Sequence, residues 1–187
     1  GNTIVDENGG WILGPYDNLH VDYMKASNTF VYGSFYENGQ KRYVNLSNIA
    51  YLPAGYEYEF DYYYARALTD GGFKLVNSNG TYAIDDVVHN YSAINDKLIL
   101  GEKGDYWYLY NKTNGVQIMS NPIKGGWENI KFYWSAVDKK NLFEIYTADG
   151  YIKYVTDEGI LLSESEALNL IHTNNYEKSG TGEGTGI

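Results

Sequence analysis

The sequence predicts an all-β protein built from antiparallel meander repeats of about 35 residues, with one short helix near the C-terminus. Three observations support this prediction: evenly spaced turn signals, β-rich aromatic runs on both sides of each turn, and a single segment with helix-start chemistry. The 187 residues provide enough chain for a packed core, because a chain of this length buries about 70% of its unfolded surface.

The strongest local signals are three hairpin turns. Asn79-Gly80, Asn114-Gly115 and Asp149-Gly150 follow one another at intervals of 35 residues, and each lies between β-rich runs. Asn-Gly and Asp-Gly pairs tolerate the positive φ angles of tight hairpins. These pairs therefore predict the turn between the second and third strands of each repeat.

A second turn precedes each of these hairpins. These upstream turns are Asn38-Gly39, Gly71-Gly72, Gly104-Asp105 and Lys140-Asn141. Each unit is therefore predicted to be a three-stranded meander. An aromatic residue followed by an acid or amide begins the units at Tyr16-Asp17, Tyr56-Glu57 and Trp127-Glu128, and more weakly around Tyr91.

The spacing assigns residues 1–162 to one β-repeat domain. Its units are predicted near 16–52, 56–88, 91–122 and 127–155, with terminal half-units at 4–15 and 154–162. One such unit cannot bury its own apolar face, so neighbouring units must pack together. Two arrangements remain open: a small propeller-like ring of about five units, closed by the terminal half-units, and an open β-repeat stack.

The predicted helix covers residues 163–173. Ser163 and Glu166 form a capping-box pattern before Ala167, Leu168 and Leu170. Residues 174–187 are expected to form a flexible tail, because their end is rich in Gly and Thr. The start at Gly1, without Met, leads us to expect a processed or truncated N-terminus.

Charge and composition exclude several classes of partner and site. Twenty-four acidic residues against fourteen basic ones give a net charge of −10, which argues against nucleic acid and anionic membrane surfaces. Without Cys the chain has no disulfide, thiolate metal site or Cys nucleophile. No apolar run reaches the roughly 18 residues of a membrane helix, so we expect no membrane insertion.

The N-terminal segment resembles a known repeat family. Residues 4–19 contain an aliphatic-Asp-x-x-Gly-x-aliphatic hairpin followed by Tyr16-Asp17-Asn18-Leu19. This pattern is similar to that of WG-type (KWG) repeats, which are mostly bacterial β-repeat proteins, and the resemblance implies a fold rather than an activity. Residues 104–115 also look similar to the aromatic cell-wall-binding repeats of Gram-positive surface proteins.

Catalytic, metal and cofactor motifs do not appear in the sequence. His20, His89 and His172 show no metal-binding spacing, and neither a Gly-x-Ser-x-Gly elbow nor a phosphate-binding glycine loop occurs. We therefore predict no catalytic residues, no metal and no cofactor. The many carboxylates keep a glycoside-active enzyme as a lesser alternative, which requires two acids roughly 5 to 9 Å apart across a cleft and a raised pKa for one of them.

Aromatic residues are the clearest excess, with 21 Tyr and 4 Trp. Most are expected to fill the core, but alternation along strands leaves some rings exposed. The predicted binding residues are Trp11, Tyr16, Tyr56, Trp107 and Trp127. We expect a non-catalytic, extracellular or cell-surface module that recognises a glycan or a surface protein. The alternative is a purely structural spacer whose aromatic side chains are buried.

Overall fold

The all-β prediction is confirmed by the structure, a computed structural model that describes residues 2–5, 8, 11–23 and 31–181. The elements are β1 (Asn2–Val5), β2 (Trp11–Tyr23), β3 (Val31–Glu37), β4 (Gln40–Asn45), β5 (Ala50–Tyr51), β6 (Tyr58–Phe60), β7 (Ala65–Thr69), β8 (Gly72–Val76), β9 (Tyr82–Val88), β10 (Asn90–Ala93), β11 (Leu98–Lys103), β12 (Tyr106–Asn111), a 3₁₀ turn (Trp127–Asn129), β13 (Ile130–Ser135), β14 (Lys140–Tyr146), β15 (Ile152–Thr156), β16 (Leu161–Leu162), α1 (Glu164–Thr173) and β17 (Tyr176–Thr181).

Within each sheet, strands that follow one another in the chain lie side by side and antiparallel, except that β17 lies beside β13. The described strands form the sheets β1-β2-β3-β4-β5, β6-β7-β8-β9, β10-β11-β12 and β16-β15-β14-β13-β17. The predicted N-terminal hairpin is present, since β1 pairs with β2 and Ile4 lies opposite Leu13. Within the ranges that the structure describes, these sheets do not close into a barrel.

The chain divides into two compact units, Gly1–Asp86 and Val87–Ile187. The core of the first unit is largely aromatic. Tyr32 stacks on Phe60 with ring centroids 4.1 Å apart, and Tyr43 meets Tyr58 edge-on at 5.0 Å. These strands therefore bury many of the tyrosines that distinguish the composition.

The second unit buries both faces of the sheet that contains β13, β14 and β15. Phe132 and Phe143 contribute to a core with Leu98, Leu109 and Ile130. On the opposite face, the core residues are Leu142, Tyr154, Ala167 of α1 and Tyr176 of β17.

Each of the three predicted hairpin glycines has positive φ: +86° at Gly80, +73° at Gly115 and +90° at Gly150. The turns at 77–81 and 147–151 share one hydrogen-bond pattern. In both, the first residue donates its N–H to the carbonyl of the fifth, and the glycine N–H donates to the carbonyl of the first. This is the pattern of a three-residue hairpin loop that ends in a left-handed residue, where glycine is favoured.

The helix prediction is confirmed. The Ser163 side chain accepts the N–H of Glu166, and the Glu166 carboxylate accepts the N–H of Ser163, which completes the capping box. Over the described residues, no helix is sufficiently long and apolar to cross a bilayer.

The structure differs from the predicted tail at residues 176–181, which form β17 against β13. Tyr176 is buried, and its hydroxyl donates to Asp138 Oδ2 at 2.8 Å. This strand depends on a partner far upstream in the sequence, so its local Gly and Thr content did not reveal it. Residues 182–187 of the predicted tail lie outside the described residues.

Candidate functional site

The five predicted binding residues have different surroundings. Trp11 and Tyr16 both lie in β2, and their side chains are outside what the structure describes. Tyr56, Trp107 and Trp127 are half-buried.

Tyr56 lies just before β6, among charged and aromatic side chains. Lys74 Nζ is 6.0 Å from the centroid of the Tyr56 ring and 5.4 Å from that of Tyr82. The same ammonium lies 2.9 Å from Asp85 Oδ1. We call Tyr56, Lys74, Tyr82 and Asp85 the Tyr56 cluster. It combines two phenol rings, one ammonium donor and one carboxylate acceptor.

The electrostatics of this cluster favour a charged Lys74 beside a neutral Tyr82 phenol. Burial raises the pKa of Tyr82 to about 12, and a hydrogen bond with Tyr56 adds to the effect. The hydrogen bond to Asp85 raises the pKa of Lys74. At neutral pH the cluster therefore offers hydroxyl donors and an ammonium donor together.

A second cluster, formed by Lys41, Tyr43 and Glu57, occurs in the same unit. The Tyr43 hydroxyl donates to Glu57 Oε2 at 2.6 Å, and Lys41 Nζ lies 3.5 Å from that oxygen. The ammonium is also 5.1 Å from the centroid of the Tyr43 ring. The hydrogen bond from Tyr43 lowers the pKa of Glu57. We call this group the Tyr43 cluster, and the 66% exposure of the Glu57 side chain leaves its carboxylate available to solvent.

The two predicted tryptophans of the second unit pack against its core. The Trp127 indole Nε1 donates to Ser92 Oγ at 3.0 Å, and its ring stacks on Phe132 with centroids 5.7 Å apart. Trp107 exchanges two backbone hydrogen bonds of 2.8 Å with Ile123. A structural role accounts for these contacts, although both rings keep some exposure.

Sequence reasoning missed a further cluster around Glu144, the one charged residue among the buried side chains of the described ranges. It accepts hydrogen bonds from the hydroxyls of Tyr133, at 3.0 Å, and Tyr146. Lys178 Nζ lies 3.3 Å from its Oε1. Burial acts to raise the pKa of Glu144, but the hydrogen bonds from Tyr146 and Tyr133 outweigh it, and the pKa is lowered. We call Tyr133, Glu144, Tyr146 and Lys178 the Glu144 cluster.

One signal for this cluster was present in the sequence. Glu144 interrupts the apolar run Leu142-Phe143-Glu144-Ile145, and a charge in such a run requires partners when it is buried. Those partners come from β13, β14 and β17, and the last of these strands was not predicted.

The most exposed pair of touching aromatic rings lies between β6 and β7. The side chains of Tyr62 and Tyr63 are 50% and 64% exposed, and their ring centroids are 4.4 Å apart. Asp61 Oδ1 accepts the backbone N–H of Tyr64 at 2.9 Å, which fixes the turn that presents them.

Hydrogen bonds lower the pKa of five carboxyl groups of the described residues: Glu57, Asp138, Glu144, Asp149 and Glu166. Among the described residues, no three His, Asp or Glu side chains are grouped as metal ligands would be. Comparison of the sequence with protein-family models and with curated proteins finds no match.

Proposed function

We propose that this chain is a non-catalytic, extracytoplasmic binding module that recognises a glycan through tyrosines flanked by lysine and carboxylate side chains. The Tyr56 cluster is the observation on which the proposal rests, because it contains a residue that the sequence selected as a binding candidate. The Lys74 ammonium is held between two rings and a carboxylate, which fixes donors and acceptors before any ligand binds. Such preorganisation lowers the entropic cost of binding.

The side-chain chemistry favours a sugar over an apolar ligand. Tyrosine presents an apolar face and a polar edge, which suits the C–H face and the hydroxyls of a sugar ring. The ammonium of Lys74 donates hydrogen bonds, and the carboxylate of Asp85, whose side chain is 43% exposed, accepts them. The net charge of −10 argues against a polyanionic glycan and favours a neutral one.

The carboxyl groups support binding rather than glycoside hydrolysis. Hydrolysis requires a general acid whose pKa is raised by its surroundings. Glu57 and Glu144, the carboxyl groups of the Tyr43 and Glu144 clusters, instead have lowered pKa values. Glu144, the buried one, is bonded to phenol and ammonium donors.

The repeat arrangement is part of the same proposal. We propose that the sheets are units of a WG-type repeat array, either a propeller-like ring or an open stack. Two observations support it. Consecutive strands form meanders in all four sheets, with β17 added beside β13 at the edge of the last one. The turns at 77–81 and 147–151 also share one hydrogen-bond pattern.

A structural spacer is the second candidate, and the packing of Trp107 and Trp127 on the core favours it. Recognition of a surface protein is a third outcome, for which the exposed Tyr62–Tyr63 pair would be the contact. Tyrosine is enriched at the energetic centres of protein interfaces.

The experiment is to measure binding of the purified chain to a glycan array and to a bacterial cell-wall polysaccharide fraction. We expect binding that falls at least tenfold in Tyr56→Ala and is largely retained in Tyr56→Phe, which keeps the ring. Tyr106→Ala serves as the control, since Tyr106 is 40% exposed in the other unit.

A double variant, Trp127→Ala with Tyr16→Ala, tests the other aromatic–acid segments. Binding that survives both changes removes these two residues from the proposed site. A chain that binds neither probe, with its circular dichroism spectrum intact, would favour the spacer.

A further inference from the structure

Asn-Gly pairs occupy three of the turns that the structure describes, namely Asn38-Gly39, Asn79-Gly80 and Asn114-Gly115. A fourth pair is Asn8-Gly9, whose glycine lies outside the described residues. Such pairs are chemically reactive, because glycine has no side chain to keep its backbone nitrogen away from the amide carbon of the preceding asparagine. The three described turns present the same two residues, so the structure around each pair decides which of them reacts.

The Asn79-Gly80 turn is held at both reacting groups. The Gly80 N–H donates to the Asn77 carbonyl at 3.0 Å. The Asn79 Oδ1 accepts the N–H of Thr81 at 3.1 Å and its hydroxyl at 2.6 Å. The backbone also has little room to rotate, since a Cβ at position 80 would overlap the carbonyl oxygen of Tyr51. The glycine nitrogen and the side chain that it would attack are therefore both fixed.

The Asn114-Gly115 turn is held in a similar way. The Gly115 N–H donates to the Asn111 carbonyl at 2.7 Å, and Asn114 Oδ1 accepts the N–H of Val116 at 2.9 Å. Just before the pair, Asn111 Oδ1 accepts the N–H and the hydroxyl of Thr113. Bringing the Gly115 nitrogen to the Asn114 side chain therefore requires these hydrogen bonds to break.

The Asn38-Gly39 turn between β3 and β4 lacks these restraints. Both residues are left-handed, with φ of +52° and +75°, as in a two-residue type I′ hairpin. Within the described ranges, neither the Asn38 side chain nor the Gly39 N–H takes part in a hydrogen bond. Both residues are exposed, and a Cβ at Gly39 would meet no atom within 4 Å. The peptide unit between them can therefore rotate without losing a hydrogen bond of its own.

We infer that Asn38 is a site of spontaneous covalent modification, at which the folded chain converts a side-chain amide to an acid through a cyclic imide. The Gly39 backbone nitrogen attacks Asn38 Cγ and forms a new C–N bond. The side-chain nitrogen leaves as ammonia and carries away the proton of the Gly39 N–H. Water then adds to one of the two imide carbonyls and opens the ring, which gives aspartate or isoaspartate. The inference does not depend on the proposed function.

Either product changes the β3–β4 hairpin. Both add a negative charge next to Glu37, whose carboxylate lies 3.7 Å from Arg42 Nη1. Isoaspartate also adds a methylene to the backbone of a turn in which Glu37 pairs with Gln40, so the two-residue loop loses its geometry. The adjoining strands bury Phe35 and Val44 completely. We therefore expect isoaspartate to destabilise the first unit more than aspartate does.

The test is to incubate the purified full chain in mildly alkaline buffer, both folded and in urea. Peptide mapping by mass spectrometry then quantifies the two acids at each pair. In the folded chain we expect Asn38 to react roughly tenfold faster or more than Asn79 and Asn114, because those two must first break hydrogen bonds. In urea we expect the three rates to be similar, since the turns no longer exist.

Thr81→Val is the matched variant, because it removes the hydroxyl donor to Asn79 and keeps a β-branched side chain. It is expected to accelerate the reaction of Asn79 and to leave that of Asn38 unchanged. Equal rates at the three positions of the folded wild-type chain, or a faster reaction at Asn79 or Asn114, would overturn the inference. An Asn38 that reacts only in urea would overturn it too.

Discussion

Lys178 Nζ lies 3.3 Å from Glu144 Oε1, so the strand β17 is tied to the buried carboxylate on β14. The Lys178 side chain is 44% exposed, whereas that of Glu144 is 5% exposed. The Tyr133 and Tyr146 hydroxyls bond the same carboxylate. These three donors compensate for the burial of the Glu144 carboxylate. Removal of its charge would leave the Lys178 ammonium and the phenol hydroxyls without their acceptor, which destabilises the fold.

Glu144→Gln is expected to lower the free energy of unfolding by about 2 kcal/mol or more. The neutral amide loses the ion pair with Lys178, and its single oxygen can accept from only one of the two phenols, which bond different oxygens of the carboxylate. Urea denaturation followed by fluorescence measures the change. The control is Glu158→Gln, because the exposed ion pair between Glu158 and Lys140 is worth at most about 1 kcal/mol. Equal losses in the two variants would contradict the assigned role of Glu144.

The pH dependence of this loss follows from the lowered pKa of Glu144. A carboxyl group with a lowered folded-state pKa stabilises the fold fully above its unfolded pKa, near 4.5, and the contribution disappears as the pH falls through the folded pKa. We expect the stability difference between wild type and Glu144→Gln to be constant above about pH 5.5 and to narrow below pH 4.5. Urea denaturation of both proteins at several pH values tests this. A difference in unfolding free energy that stays constant down to pH 3 would contradict the prediction.

Gly80→Ala is expected to destabilise the first unit more than Gly150→Ala destabilises the second. Both glycines occupy the same position of the same turn type, with φ of +86° and +90°, so each alanine pays about 1–2 kcal/mol for its left-handed conformation. At Gly80 a Cβ would also overlap the carbonyl oxygen of Tyr51, whereas at Gly150 it meets open space. Thermal unfolding monitored by circular dichroism gives the comparison. Identical decreases in melting temperature would show that the Tyr51 carbonyl oxygen adds nothing to the cost of an alanine at position 80.

Removal of residues 174–187 is expected to make the chain self-associate. β17 covers one edge of β13, which is paired with β14 on its other side, so removal of β17 leaves the backbone of Phe132, Tyr133 and Trp134 on an open sheet edge. Open edges of this kind pair with other chains. Light scattering after size exclusion should give a larger mass than for the full chain, and a truncation after residue 181 should leave the mass unchanged. An unchanged mass after removal of residues 174–187 would show that the edge of β13 does not cause self-association when β17 is absent.

Local signals predicted the turns and the helix because their chemistry is contained in a few adjacent residues. Asn79-Gly80 and Asp149-Gly150 form their turns from their own backbone preferences, and Ser163 with Glu166 closes the capping box within one turn. The half-buried positions of Trp107 and Trp127 could not be predicted from adjacent residues, because the alternation along a strand does not show which of its faces another sheet covers.

Contacts distant in sequence account for the remaining differences. β17 and the Glu144 cluster depend on the pairing of β13 with residues 41 to 50 positions later. In the same way, the charged partners of Tyr56 come from β8 and β9. The sequence identified the aromatic residue, and only the assembled sheet identified its neighbours.

The most direct test of the binding account is nuclear magnetic resonance of the chain with labelled tyrosine and lysine side chains, titrated with oligosaccharides prepared by hydrolysis of the cell-wall polysaccharide fraction. We predict shifts for Tyr56 and Tyr82 and for the Lys74 ammonium, and none for the buried Tyr176. Shifts confined to Tyr62 and Tyr63, or no shifts at all, would contradict the account.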